Sequence, residues 1–170
     1  MLSIITPAYN EAANLPLLKE RIVRVMDGLD LPWEWIVVDD HSSDGTFAIV
    51  SEIAAQDPRV RGLRFSRNFG SHNGFLCGFQ HAKGDAAVGM AGDGQDPPEL
   101  IPKLVDEWKK GSQVVWAARA NAAGDSLSSR LFSRLYHAVM RKLVGFKDMP
   151  ATGADFCPVG VFVAFELAAS

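Results

Sequence analysis

The segment Asp93-Gly94-Gln95-Asp96 crowds three oxygen-bearing side chains into four residues. In an extended segment, side chains two apart share a face, so Asp93 and Gln95 would approach one ion together. Mg²⁺ takes oxygen ligands, keeps several waters, and often uses one or two carboxylates plus substrate phosphates. The alternative is an Asp/Gly turn followed by an Asp cap on the next helix. A second acidic pair, Asp39-Asp40, follows the hydrocarbon run Trp35-Ile36-Val37-Val38. Carboxylates there can accept hydrogen bonds from a ribose or a base edge. Adjacent acids repel unless something partners them. Their plainer reading is a solvated loop in which Ser42, Ser43 or Asp44 caps the following helix.

Arg67-Asn68-Phe69-Gly70-Ser71-His72-Asn73 offers a guanidinium and a helix start for phosphate. Gly70, Gly74 and Gly78 form a small-residue stripe suited to close helix–sheet packing. Neither GxGxxG nor GxxxxGK[ST] occurs, which excludes the usual dinucleotide and P-loop readings. His41, His72, His81 and His137 show no metal-ligand spacing, and no Ser/His/Asp arrangement is readable.

These polar clusters each follow a run with strand character. Leu2–Thr6, Trp35–Val38, Val60–Phe65, Ala86–Met90 and Gln113–Ala117 read as strands. Residues from Asn14 and Pro16 to Gly28, Thr46–Ala55, Gly74–Ala82 and the stretch from Pro97 through Leu100–Trp108 read as helices. Such alternation implies βαβ units, hence an α/β fold with a mostly parallel sheet covered on both faces. Ligands of such sheets bind outside the carboxyl ends of the strands. Farther on, Leu127, Leu131, Leu135, Val139 and Leu143 step by four along a helix over 127–143. Arg130, Arg134, His137, Arg141 and Lys142 lie off that stripe. Basic groups beside an apolar stripe suit a phosphate or an anionic membrane surface, or else form a solvated face on a core helix.

Length and composition agree with one domain. The chain has 170 residues, 48% hydrophobic and 22% charged, which allows a sizeable core and excludes disordered and low-complexity classes. A net charge of −3 gives no basic field for nucleic acid. Two cysteines, Cys77 and Cys157, form neither a disulfide scaffold nor a Cys-based zinc site. The N-terminus lacks signal-peptide character, and no window approaches 18 apolar residues.

Taken in order, four stretches resemble family 2 glycosyltransferases of GT-A (Rossmann-like) fold, in particular the polyprenyl-phosphate glycosyltransferases. They are Ser3–Glu11, Ile36–Thr46, Ser66–Gly70 and Asp93–Glu99. The resemblance implies a GT-A nucleotide-sugar-binding and catalytic domain over 1–155, and a truncated or divergent segment over 156–170. It implies transfer of a hexose from a UDP- or GDP-sugar to a dolichyl- or undecaprenyl-type phosphate, with inversion. Pro7, Tyr9 and Glu11 would line the nucleotide pocket, with Arg67 at phosphate. Asp39 and Asp40 would contact base or ribose. Asp93 and Gln95 would hold Mg²⁺ or Mn²⁺ against the donor diphosphate, and Arg130 and Arg134 would sit near phosphate. Asp155 would act as general base toward a sugar hydroxyl, but only as an orienting group toward a phosphate already ionised at neutral pH.

The partners implied are the nucleotide sugar, the polyprenyl phosphate and the inner face of the plasma membrane, with the chain itself cytoplasmic and no nucleic acid involved. Two departures stand out. Ala91 occupies the place of the first Asp of the family's D-x-D motif, and Cys157 stands where an Arg follows Gly-Asp-Phe. The family's membrane helices do not follow in this chain. These points keep two other readings open: a transferase to a saccharide hydroxyl in cell-wall or polysaccharide synthesis, and a non-catalytic nucleotide-binding remnant.

Overall fold

The computed structural model describes residues 1–112, 114–116 and 161–162. Its centre is a four-stranded parallel sheet. Strand β1 (Leu2–Ala8) pairs with β2 (Trp33–Asp39) on one side and β4 (Ala86–Gly89) on the other, and β3 (Val60–Arg64) lies outside β2. The order β3-β2-β1-β4 follows from successive crossovers. The chain steps outward from β1 to β3, then returns to place β4 on the far side of β1. That reversal makes the β1/β4 junction the topological switch point, where open α/β sheets hold ligands.

Both inner strands are buried along their whole length, as parallel strands covered on both faces must be. Ile5, Ile36, Val38 and Ala87 form one core layer, against which Leu63, Phe65, Phe75 and Phe79 pack. Ser3, Thr6 and Glu34 within these strands are paired. The Trp35 indole N–H donates to Thr6 Oγ1 at 2.9 Å, and the Ser3 hydroxyl donates to Glu34 Oε1 at 2.7 Å.

Helix α1 (Leu15–Met26) begins with Pro16 in its first turn, where the missing N–H costs nothing, and buries Leu15, Leu18, Ile22 and Met26. Helix α2 (Thr46–Gln56) lies over β3, with Val50 against Gly62; a Cβ at Gly62 would come within 2.5 Å of Val50 Cγ1. Helix α3 (Ser71–His81) covers the other face. A Cβ at Gly78 would lie 2.2 Å from Ile5 Cγ2, and one at Gly74 would lie 2.8 Å from Pro7 Cβ. The Gly74 and Gly78 positions of the stripe are therefore packing glycines. Gly70 differs: it has open space around it, but its φ of 87° requires glycine. A 3₁₀ turn (Pro98–Leu100) leads into α4 (Ile101–Lys109).

Three expectations shift. Strand β1 runs on through Pro7 and Ala8 rather than ending at Thr6. Pro7 is tolerated in this inner strand because β4 pairs only with Leu2–Ile5; the ring falls where that neighbour has already turned away. Helix α3 starts at Ser71 rather than Gly74. The strand expected over Gln113–Ala117 is Val115–Trp116 (β5), and it pairs antiparallel with Val161–Phe162 (β6) rather than extending the parallel sheet. The helix expected over 127–143, with Arg130 and Arg134, and the positions Asp155 and Cys157 lie outside the described residues.

Candidate functional site at the carboxyl edge of the sheet

Four loops leave the carboxyl ends of β1 to β4, and hydrogen bonds through side chains tie the first three together. After β1, the Asn10 amide donates to Ser42 Oγ at 2.9 Å, the Glu11 amide to Thr46 Oγ1 at 2.8 Å and the Ala12 amide to Asp44 Oδ2 at 3.1 Å. In return, Asn10 Oδ1 accepts from the Ser43 amide at 3.0 Å. These bonds tie the β1 loop to the β2 loop through Ser42, Asp44 and Thr46. Asn10 and His41 sit at left-handed φ values of 59° and 61°, conformations that persist in non-glycine residues only where surroundings enforce them and that gather at functional sites.

The N-cap of α2 is Gly45 with no side-chain cap bond, rather than Ser42, Ser43 or Asp44, and Asp44 instead braces Thr46. Its Oδ1 accepts both the Thr46 amide at 3.0 Å and the Thr46 hydroxyl at 2.5 Å. The Thr46 hydroxyl first, then the amides of Ala12 and Thr46, hold its carboxyl below the ordinary range.

The two acids at the end of β2 turn to different partners. Asp39 is fully buried. Its Oδ1 accepts the Ser42 amide at 3.1 Å, and its Oδ2 lies 3.1 Å from Arg64 Nε without hydrogen-bond alignment. Arg64 also donates to the Ser42 carbonyl at 3.2 Å and stacks over the Phe47 ring at 5.3 Å. Asp40, 3% exposed, accepts the Phe69 amide on Oδ1 at 2.7 Å and the Gly70 amide on Oδ2 at 2.8 Å. Repulsion between the adjacent acids is thus relieved by separate sets of donors.

After β3, Arg67 is exposed and its guanidinium stacks on the Phe69 ring at 4.7 Å. Phe69 meets Phe65 edge to face, with centroids 5.3 Å apart. After β4, the chain turns rather than extends: Gly94 has φ 75° and the Gln95 amide donates to Asp93 Oδ1 at 3.0 Å. The face-sharing expected of an extended Asp93-Gly94-Gln95 is therefore replaced by an Asx turn. Asp96, expected as a helix cap, instead accepts the Ala91 amide at 2.7 Å and closes the loop on itself.

Asp93 and Gln95 are both exposed. The Asp93 carboxylate borders a cleft of about 390 Å³ between this turn and the start of α1. The donor chemistry fits a divalent cation: one solvent-facing carboxylate with an oxygen not used by the turn, at a sheet edge where phosphates would supply the remaining ligands. Among the described residues, no group of three or more His, Cys, Asp or Glu could hold a metal alone.

Pro7 is buried in β1, Tyr9 is 51% exposed and Glu11 is half-buried, its Oε2 accepting from Asn14 Nδ2 at 2.6 Å. Gly92 lies beneath them: a Cβ there would come within 3.2 Å of the Pro7 carbonyl oxygen and 3.4 Å of Glu11 Cγ. At the β1/β4 switch point Gly92 thus packs against Pro7, Ala8 and Glu11, one residue before Asp93. A larger cleft, of about 620 Å³, runs between α1 and α2 and is lined by none of the candidate residues.

Sequence reasoning missed Asn10, Thr46 and Gly92. Asn10 was detectable as one of the few residue types that accept a left-handed φ at a strand exit. It also missed Glu34, a buried carboxylate near the opposite edge, held by the Ser3 hydroxyl, the Lys83 amide at 2.6 Å and Arg61 at 3.1 Å.

The chain matches the model of glycosyl transferase family 2 over residues 3–164. It is 39% identical over 145 residues to an undecaprenyl-phosphate 4-deoxy-4-formamido-L-arabinose transferase of Pectobacterium carotovorum, a match covering 84% of this chain and 44% of that protein. It is 34% identical to an uncharacterized glycosyltransferase of Synechocystis, covering 91% of this chain and 48% of that one. The chain therefore spans less than half the length of these curated relatives. Among solved structures, mannosyl-3-phosphoglycerate synthase from Rubrobacter xylanophilus shares the fold at TM-score 0.70 and 17% identity, over 96% of this chain and 53% of that one. The mannosyltransferase PcManGT of Pyrobaculum calidifontis, solved with GDP-Man and Mn²⁺, does so at 0.53 and 21%, over 82% and 38%. Four parallel strands, their laced carboxyl-edge loops and these matches lead to one assignment: the chain belongs to glycosyl transferase family 2 and has a GT-A fold.

Proposed function

We propose that this chain carries the donor site of an inverting glycosyltransferase that moves a sugar from a UDP- or GDP-sugar to a polyprenyl phosphate. The observation that supports this most is the exposed Asp93 at the turn after β4, bordering the cleft beside the start of α1, with Gly92 packed against Glu11. The acceptor class follows from the relatives named as undecaprenyl-phosphate transferases.

Pro7 shapes the crevice wall, and Tyr9 offers an exposed ring against the base. Glu11 accepts hydrogen bonds at the edge of the nucleoside, and Asp39, fully buried against the Ser42 amide and Arg64, holds the β2 loop behind it. Arg67 carries positive charge to the donor phosphates. Asp93, with Gln95, would hold Mg²⁺ or Mn²⁺ against the diphosphate, and such an ion supplies Lewis-acid neutralisation of the leaving group. In the transfer, an ionised phosphate oxygen of the acceptor forms the new bond to the anomeric carbon. The bond from that carbon to the diphosphate breaks on the opposite face, and the nucleoside diphosphate leaves with the electron pair. No proton needs removal, because a phosphomonoester with a second pKa near 6 is largely ionised at neutral pH. Asp155 then orients groups rather than acting as a base, and Arg130 and Arg134 meet donor or acceptor phosphate. Ala91 removes one acid from the donor face and leaves the Asp93 carboxylate in place.

Thermal unfolding with UDP or GDP, with and without Mn²⁺, tests the donor site. A bound ligand raises the midpoint by mass action; at a hundredfold excess over Kd the stabilisation is about 2.7 kcal/mol. A midpoint that no nucleotide moves, with or without metal, would remove the basis for this reading.

A further inference from the structure

Asp40 ends buried at the carboxyl edge with both carboxylate oxygens turned onto the next loop, Oδ1 to the Phe69 amide at 2.7 Å and Oδ2 to the Gly70 amide at 2.8 Å. Short charge-assisted bonds to backbone amides are strong and directional. At 3% exposure, little of the side chain remains for a ribose hydroxyl or a base edge to reach. The segment it holds is fixed from other sides as well. Asn68 Oδ1 also accepts the Gly70 amide at 3.2 Å, Asn73 Nδ2 donates to the Phe69 carbonyl at 2.7 Å, and Gly70 takes φ 87°, ψ 154°, a region open essentially to glycine alone.

What this anchored loop presents is Arg67. The Phe65 ring holds Phe69 edge to face, and Phe69 carries the Arg67 guanidinium on its own face. The exposed guanidinium, held over the ring, carries the planar N–H fork that matches phosphate oxygens. Among the described residues, no carboxylate pairs with it.

We infer that Asp40 is a positioning residue: it clamps loop 66–70 so that Arg67 is presented, on the Phe69 ring, to the diphosphate of the donor. This replaces the base or ribose contact that the family resemblance implies for Asp40. The inference rests on the donor-site reading given above, and it assigns the acid a different task within that site.

The test measures binding of three ligands to the full chain by calorimetry: inorganic pyrophosphate, the nucleoside diphosphate, and the matching nucleoside. Asp40→Asn keeps one acceptor but sets an NH₂ group against the second amide. It should weaken pyrophosphate and nucleoside diphosphate at least fivefold and leave the nucleoside within twofold. Arg67→Ala alone should give the same selective loss, and adding it to Asp40→Asn should cost less than a further twofold. Gly70→Ala disturbs the loop without touching Asp40, since a Cβ there meets nothing within 4 Å and acts only through φ. It should reproduce the selective loss, and it carries the test if Asp40→Asn fails to fold. Equal losses for nucleoside and diphosphate, fully additive losses for Asp40→Asn and Arg67→Ala, or unchanged pyrophosphate binding would each overturn the inference. Nucleoside binding without pyrophosphate binding overturns the inference alone. Failure of the unsubstituted chain to bind any of the three ligands overturns the donor-site reading as well.

Discussion

Asp93 and Asp40 show how differently two acids on one sheet edge can be used. Asp93 stands in solvent with one oxygen engaged by its own turn, and Asp40 is buried with both engaged by a neighbouring loop. Asp93→Asn keeps the acceptor for the Gln95 amide, so the turn should survive and unfolding free energy should change by less than about 0.5 kcal/mol. Metal-dependent nucleotide binding should fall by about tenfold or more, the scale of one lost charge-assisted contact; calorimetry with and without Mn²⁺ measures it. Equal affinity in the variant would remove Asp93 from the site. At this scale, sequence showed which residues gather at the strand exits. It did not show how each is occupied, because the amides that meet Asp40 lie 29 and 30 residues away in sequence and the Ala12 amide that meets Asp44 Oδ2 lies 32 away, and no local pattern encodes them.

The elements were the most readable level. Hydrophobic periodicity located the strands and helices of the sheet, because Ile4, Ile5, Ile36 and Val38 must be buried on two faces. Boundaries failed where tertiary contacts decide: Pro7 continues β1 only because β4 has ended. The glycine stripe was readable as packing, and its consequence can be measured. Gly78→Ala gains about 1 kcal/mol of helix propensity. However, its Cβ would meet Ile5 Cγ2 at 2.2 Å, and overpacking typically costs about 1–3 kcal/mol. A net loss in urea denaturation is expected, and a stabilised variant would show that α3 can lift off the sheet freely.

The turn from α2 into β3 carries a pH-sensitive contact. Asp57 accepts the Arg59 amide at 3.1 Å, Nε at 2.9 Å and Nη2 at 2.8 Å, and the Arg59 guanidinium stacks over Trp33 at 4.2 Å. The Arg59 side chain is the main cause holding the Asp57 carboxyl below its ordinary range. A folded-state pKa below the unfolded value of about 3.9 contributes stability that is present at neutral pH and lost as pH falls below that value. Asp57→Asn should therefore cost about 1 kcal/mol at pH 7, discounted for the partly exposed Arg59, and less at pH 3. A penalty independent of pH, followed by denaturant melts across that range, would assign the effect to packing rather than charge.

For the molecule as a whole, the parallel order β3-β2-β1-β4 sets the loops that follow all four strands on one edge of the sheet. The fold class and the gathering of these loops on one edge were legible because βαβ alternation leaves few topologies. Among the described residues, no helix is long and apolar enough to cross a membrane. The central claim is sugar transfer from a nucleotide donor to a polyprenyl phosphate, and its most direct test follows radiolabel from UDP- and GDP-sugars into the organic phase. The assay uses undecaprenyl phosphate as acceptor, with and without divalent metal. The account predicts label in the lipid fraction only when metal and lipid phosphate are both present. Label that moves to a saccharide acceptor but never to the lipid phosphate would contradict it.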